Sequence, residues 1–140
     1  MCRDLSDIGQ YAKFDDRRYR LLKNATPGPY TWILEATKEV PRRLSHPSRK
    51  TIGLRVPDHR VALGLLDVLG QPLLTTTLQL PGDELPLNEG ELIRERLDYQ
   101  IDFVLDAGTC GVQPTTIVDL TGAEAVLVRQ GKGDISQLGL

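Results

Sequence analysis

The sequence predicts an α/β (α+β) fold, a twisted, mixed, open sheet with flanking helices, in a single domain over 1–140. Three observations lead there. Apolar runs of strand length alternate with an amphipathic helix in the middle of the chain, a hairpin signal follows near its end, and 140 residues suffice for one core. A terminal hairpin after alternating elements favours a mixed sheet over a doubly wound parallel one.

The elements follow in order. Ser6-Asp7 supplies the capping residues of a first helix, which no strand precedes, so the fold is expected to be incomplete at its N-terminus. A second short helix is expected over Asp15 to Lys23, with Phe14, Tyr19 and Leu22 as its apolar contacts and Thr26-Pro27-Gly28-Pro29 as its stop. A strand is expected from Tyr30 to Ala36. The charged stretch Lys38 to Arg49, with Pro41 and Pro47, reads as a loop before a strand from Thr51 to Val56. Asp58 then caps a helix from His59 to Leu69, with Val61, Ala62, Leu65, Leu66 and Leu69 as its buried stripe and Gly70 closing it. Leu73 to Leu80 reads as a buried strand, Asn88 or Glu89 to Leu97 as an exposed helix and Ile101 to Leu105 as another strand. Thr116 to Asp119 and Ala125 to Val128 flank a turn at Thr121-Gly122-Ala123-Glu124, and a short polar tail, Gly131 to Leu140, ends the chain.

Composition excludes several classes. With 17 Lys and Arg against 19 Asp and Glu, a net charge of -2 argues against a protein that blankets polyanions. The basic clusters Arg17, Arg18, Arg20, Lys23 and Arg42, Arg43, Arg49, Lys50 read first as solvated surface, with a ligand role open for the second. Cys2 and Cys110 stand far apart without a CxxC pattern or a histidine at ligand spacing, so neither a disulfide framework nor a zinc site is encoded. No apolar run approaches the roughly 20 residues of a membrane span, and no secretory signal opens the chain. A cytoplasmic, reducing location with no membrane partner is expected.

The chemistry-bearing residues fall beside predicted strands, where an open α/β sheet gathers a ligand crevice. The segments are Pro27 to Thr31, Thr51 to Arg55, Pro72 to Gly82 with Thr75, Thr76 and Thr77, Pro114 to Thr116, and Arg129 to Gly133. Arg55 in an apolar strand needs an anion: an internal carboxylate is the plainer source, a ligand carboxylate or phosphate the other. Thr75 and Thr77 share a face by alternation, or are β-branched filler. Arg129 precedes Gly131 and Gly133, which would let backbone amides approach an anion; otherwise it is an exposed strand end. Gly131-Lys132-Gly133 lacks the spacer and the hydroxyl residue of a P-loop. His46 and His59 have no metal or catalytic partner at suitable spacing, and Asp98, Asp102 and Asp106 share no established face, so no metal site and no carboxylate pair is assigned.

Taken together and in order, Pro27-Gly28-Pro29-Tyr30-Thr31, Thr51-Ile52-Gly53-Leu54-Arg55-Val56-Pro57, Pro72-Leu73-Leu74-Thr75-Thr76-Thr77, Pro114-Thr115-Thr116-Ile117-Val118-Asp119 and Val128-Arg129-Gln130-Gly131 resemble the YrdC/YciO family, and Lys38 to Arg43 is similar to its YciO branch. The resemblance implies a YrdC/RibB-like sheet with a basic concave crevice. It also implies L-threonylcarbamoyladenylate synthase activity, a nucleotidyl transfer that uses ATP with Mg, L-threonine and bicarbonate to make threonylcarbamoyl-AMP for tRNA modification. Carried over by motif, Arg55, Thr75 and Thr115 would contact threonine, and Thr31, Thr77 and Arg129 the nucleotide. The family's opening Pro-Thr strand and Lys-x-Arg motif would lie upstream of Met1. Synthases continue the hydroxyl strand as Thr-Ser-Ala-Asn, whereas here Thr76-Thr77-Leu78-Gln79 follows. The alternative reading is therefore a YciO-type module that binds nucleotide or double-stranded RNA without efficient catalysis.

Overall fold

The computed structural model describes every residue except Ser45, Pro47 and Leu140, and the side chain of Gln137. The chain divides into two compact units, one formed by Met1–Leu74 with Pro114–Leu140 and the other by Thr75–Gln113.

The larger unit is built on a five-stranded sheet. Its central strand is β2 (Tyr30–Ala36), whose alternating Tyr30, Trp32 and Leu34 are buried. The alternation dictates this, because successive side chains of a strand point to opposite faces. On one side β3 (Thr51–Leu54) pairs antiparallel, with Trp32 opposite Leu54 and Ile33 opposite Gly53. On the other side β4 (Thr116–Asp119) runs parallel, with Tyr30 beside Thr116 and Thr31 beside Ile117. The two-residue β1 (Ala12–Lys13) pairs with the far end of β2. Strand β5 (Val126–Arg129) closes the predicted hairpin on β4, with Ile117 opposite Arg129 and a register shift between Ile117 and Val118. Parallel and antiparallel pairs thus coexist in an open sheet, as expected.

One face of this sheet holds the core. Helix α1 (Leu5–Tyr11) adds Ile8 and α2 (Asp16–Ala25) adds Leu22 to Tyr30, Trp32, Leu34, Leu54, Val56 and Val118. The α1 start differs from the Ser6-Asp7 reading: the cap is Asp4, whose carboxylate accepts from the Asp7 amide at 3.0 Å. Asp15 caps α2 in the same way, accepting from Arg18 N at 2.8 Å. Arg18 is no solvated bystander, because its guanidinium donates to Leu120 O at 2.7 Å, to Gly122 O and to Asp15, tying α2 to the β4–β5 turn.

Helix α3 (Arg60–Leu69) ends at Gly70 in the left-handed conformation, φ 64°. Its cap is His59, whose ring accepts from Ala62 N, rather than Asp58; Leu66 is buried, while Val61 and Leu69 are exposed. The buried stripe is narrower than its periodicity suggests: Leu66 alone is buried, and Leu63 is the α3 side chain that packs against the core cluster. The loop over 38–49 consists of turns in its described part, and the Pro47 reading lies outside the described residues. The tail is not a polar appendage: Gly131, Gly133 and Leu138 are buried, the last within a short 3-10 helix, Ile135–Leu138.

The smaller unit contains α4 (Gly90–Leu97), which buries Leu97. Arg96 grips both carboxylate oxygens of Asp83 at 3.0 and 2.9 Å, and Gln79 donates its amide to the carbonyls of Asp83 and Glu84. Neither strand expected over this stretch forms. Leu73 to Leu80 has no strand geometry and Thr75, Thr76 and Thr77 are exposed; Ile101 to Leu105 is likewise irregular, with Phe103 74% exposed. Strand-favouring side chains report fit to a pleated, half-buried surface, and without a paired backbone they do not make a strand.

The two cysteines make a simple check of the core. Cys2 is fully buried and burial pushes its thiol up to about 11, whereas Cys110 is exposed. Because the thiolate is the nucleophile, one thiol per chain should react with a disulfide reagent at pH 8 and the second only in denaturant. Two fast thiols would contradict the placement of Cys2.

Candidate ligand-binding face

The face of the sheet opposite the core carries the candidate residues of the larger unit. In β2 the odd-numbered positions turn away from the core, which places Thr31 and Ile33 on this face. The parallel register brings Ile117 beside Thr31, and a continued register brings Thr115 to the same side. The hydroxyls of Thr31 and Thr115 meet at 2.8 Å. Strand β5 places Arg129 opposite Ile117, and its guanidinium donates to Thr115 O at 2.9 Å. Extending the β2–β3 register by one residue sets Arg55 opposite Thr31. Four of the six candidates, Arg55, Thr31, Thr115 and Arg129, therefore share one face at one end of the sheet. Strands lie about 4.8 Å apart, so the row from β3 to β5 spans roughly 14 Å.

Thr75 and Thr77 belong to the other unit and sit there as exposed side chains outside any strand. The basic stretch Arg42 to Lys50 joins β2 to β3 at the Thr51 end of β3, whereas Arg55 follows its Leu54 end.

Arg55 is the residue whose surroundings differ most from expectation. Among the described residues no carboxylate pairs with it: its guanidinium donates to Met1 Sδ at 3.8 Å, and the Met1 ammonium is a like charge close enough to be felt. Burial pulls its guanidinium below the ordinary arginine value, yet a guanidinium stays protonated in a protein. The outcome is a half-buried cation with no carboxylate partner among the described residues.

The rim beside Arg129 is held by a residue that sequence reasoning passed over. Thr116 is fully buried; its hydroxyl donates to Gly133 O at 2.7 Å and accepts from Gly131 N at 3.0 Å. Lys132 N donates to Pro114 O at 2.8 Å, and Gln130 donates to the carbonyls of Gly131 and Gly133. The two glycines thus serve close packing. A Cβ at Gly131 would meet Pro114 O and lie 2.5 Å from Thr115 C, and one at Gly133 would lie 2.6 Å from Tyr30 Cδ1. The Gly131 amide is occupied by Thr116, which corrects the reading of a free anion-binding amide. The alternation Thr115-Thr116 at the start of a predicted strand was the available signal, since one of two adjacent residues must face inward.

A separate polar cavity of about 420 Å³ lies near the other end of β4, lined by Arg17, Arg20, Asn24 and Glu124 among others. Arg17 and Glu124 pair across it at 3.2 Å, both well exposed. No described helix is long and apolar enough to cross a membrane, and no described group of three His, Cys, Asp or Glu could hold a metal ion.

Comparison with known proteins agrees with this architecture. The Sua5/YciO/YrdC family model, described as telomere recombination, matches residues 1–131. The uncharacterised protein YciO of Escherichia coli is 50% identical over 135 residues, which are 96% of this chain and 66% of that protein. Its crystal structure superposes with a TM-score of 0.93 at 49% identity, covering 99% of this chain and 67% of that one. The threonylcarbamoyl-AMP synthase of Idiomarina loihiensis is 34% identical over 105 residues, 74% of this chain and 55% of that protein. The structure of Pyrococcus abyssi Sua5 complexed with L-threonine shares the fold, with a TM-score of 0.87 at 24% identity over 98% of this chain and 40% of that one. The chain spans just under two-thirds of the length of the YciO relative it matches. A family model that matches residues 1–131 and a sheet that superposes on YciO together place this chain in the Sua5/YciO/YrdC family.

Proposed function

We propose that the protein recognises L-threonine and ATP as a threonylcarbamoyl-AMP synthase does, with Arg55 holding the threonine carboxylate and Arg129 the phosphates of the nucleotide. The observation that carries this reading is the Arg55 guanidinium, half-buried without a carboxylate partner among the described residues and in one row with Thr31, Thr115 and Arg129. Keeping a charge partly out of water without a counter-ion costs free energy, and a ligand carboxylate held bidentately removes that cost. Strands β3 and β5 lie roughly 14 Å apart, and Arg129 is anchored to Thr115 O, so we assign the two guanidiniums to two different anions. The L-threonine named with Pyrococcus abyssi Sua5 supports threonine as one of them.

In the reaction, bicarbonate carboxylates the threonine amine with loss of water. The resulting carbamate oxygen attacks the α-phosphorus of ATP, the bond to the bridging oxygen breaks and pyrophosphate leaves. Positioning and neutralisation of charge supply catalysis of this kind. The hydroxyls of Thr31 and Thr115 lie between the two cations to orient the groups, Mg arrives with the nucleotide, and a tRNA adenosine amine takes the threonylcarbamoyl group as the bond to the phosphate oxygen breaks and AMP leaves.

One observation favours a second reading. The hydroxyl stretch Thr75 to Thr77 is exposed outside a strand, and Gln79 is engaged with its own turn. A YciO-type module that binds nucleotide or double-stranded RNA without efficient chemistry is consistent with that. Calorimetry with ATP and threonine, run beside a pyrophosphate-release assay with bicarbonate, separates the two. Release that requires both substrates supports the synthase; binding without release, or salt-dependent binding of double-stranded RNA, supports the module. A chain that binds none of these ligands overturns both readings.

A further inference from the structure

Position 53 of β3 carries no side chain, and no close neighbour among the described residues requires that. A strand glycine has a few ordinary explanations: a bulge, a bend, a close approach of backbone, or room for a ligand. The β2–β3 register runs unbroken from Trp32–Leu54 to Glu35–Thr51, so no bulge is present. Gly53 is absent from the residues with a positive φ, so no left-handed bend is present either. A Cβ built there would meet only the Thr31 methyl, at 3.5 Å, an ordinary contact. Gly131, in contrast, has its place taken by neighbouring backbone. Gly53 is also exposed, and a glycine weakens a strand relative to a residue with a side chain.

The contact with Thr31 fixes the direction of the absent side chain. It would stand on the Arg55 face, one pleat repeat of about 7 Å along β3 from Arg55 and across from Ile33. The floor bordered by Arg55, Thr31 and Ile33 is therefore open within one pleat repeat of the Arg55 guanidinium's own strand position, a distance that the side chain of an amino acid held there by its carboxylate can cover. We infer that Gly53 is a specificity-determining residue that sets how large a side chain the bound amino acid can carry, admitting one branched at its β-carbon. This rests on the reading of the face given above.

The test is a Gly53→Ala and Gly53→Val series on the full chain, titrated by calorimetry with L-threonine, glycine and inorganic pyrophosphate, with melting temperature measured in parallel. Gly53→Val should weaken threonine at least 10-fold and glycine less, and leave pyrophosphate within about 2-fold, because the phosphate end lies near Arg129. Gly53→Ala should give a smaller loss, and both variants should melt at or above the temperature of the unsubstituted chain. If the unsubstituted chain binds threonine and Gly53→Val binds it equally well, this inference fails while the reading of the face stands. If the unsubstituted chain binds neither threonine nor pyrophosphate, the reading fails and takes the inference with it. Collapse of both variants would show that the space is not open and would also overturn it.

Discussion

Arg55→Gln is expected to abolish measurable threonine binding while leaving the melting temperature unchanged or slightly raised. The two effects have one cause. The guanidinium has no internal carboxylate and touches Met1 Sδ, so removing its charge breaks no ion pair and relieves a half-buried cation. A ligand carboxylate, however, loses its counter-charge, and truncating one side of such a pair costs roughly 2–5 kcal/mol, or about 30-fold to several thousand-fold in affinity. Calorimetry on the variant and the unsubstituted chain, each with a thermal melt, reads both quantities. An arginine retained for structure would give the reverse pattern, a lower melting temperature with unchanged affinity.

Gly131→Ala should cause the larger structural loss. The added Cβ would meet Pro114 O and lie 2.5 Å from Thr115 C, and these are backbone atoms of the segment leading into β4, which cannot rotate away as a side chain would. Relief requires the 131–133 segment to lift. That breaks the bond from Gly131 N to the buried Thr116 hydroxyl and the bond from Lys132 N to Pro114 O. Overpacking at roughly 1–3 kcal/mol and two hydrogen bonds at about 1 kcal/mol each sum to about 4 kcal/mol. At roughly 3 °C per kcal/mol for a chain of this size, a thermal melt should fall by more than 10 °C. Binding of pyrophosphate should weaken as well, because Arg129 lies two residues before the displaced segment and Thr115, whose carbonyl accepts from it, is on the other side of the clash. A variant within 2 °C of the unsubstituted chain would contradict the packing described.

These two residues show what the sequence reveals and what it leaves to the fold. Strand β2 was legible to its ends, Tyr30–Ala36, because alternation between a buried and an open face writes itself into every second residue. Helix α3 was legible through its apolar spacing and Gly70. The strands read at Leu73 to Leu80 and Ile101 to Leu105 did not form, because side-chain type describes a preference for pleated surface while a strand also needs a paired backbone. For the site, alternation told which side of its own strand each residue occupies. It did not tell which strands neighbour each other, and that is what puts Arg55, Thr31, Thr115 and Arg129 in one row. The same gap hid Thr116, whose burial follows from the pairing of β4 with β2.

The parallel pairing of β2 with β4 has a bearing on folding and on tolerance to change. Thr31 and Thr115 touch although 84 positions apart, and the whole Thr75–Gln113 unit is an excursion between the strands that bring them together. Closing so long a chain segment is slow but only weakly dependent on its length, since doubling it adds about 0.6 kcal/mol of entropy cost. The paired hydroxyls therefore depend on closing a long stretch of chain. Residues can be added to or removed from the excursion while the β2–β4 register, and with it the 2.8 Å contact, stays as it is.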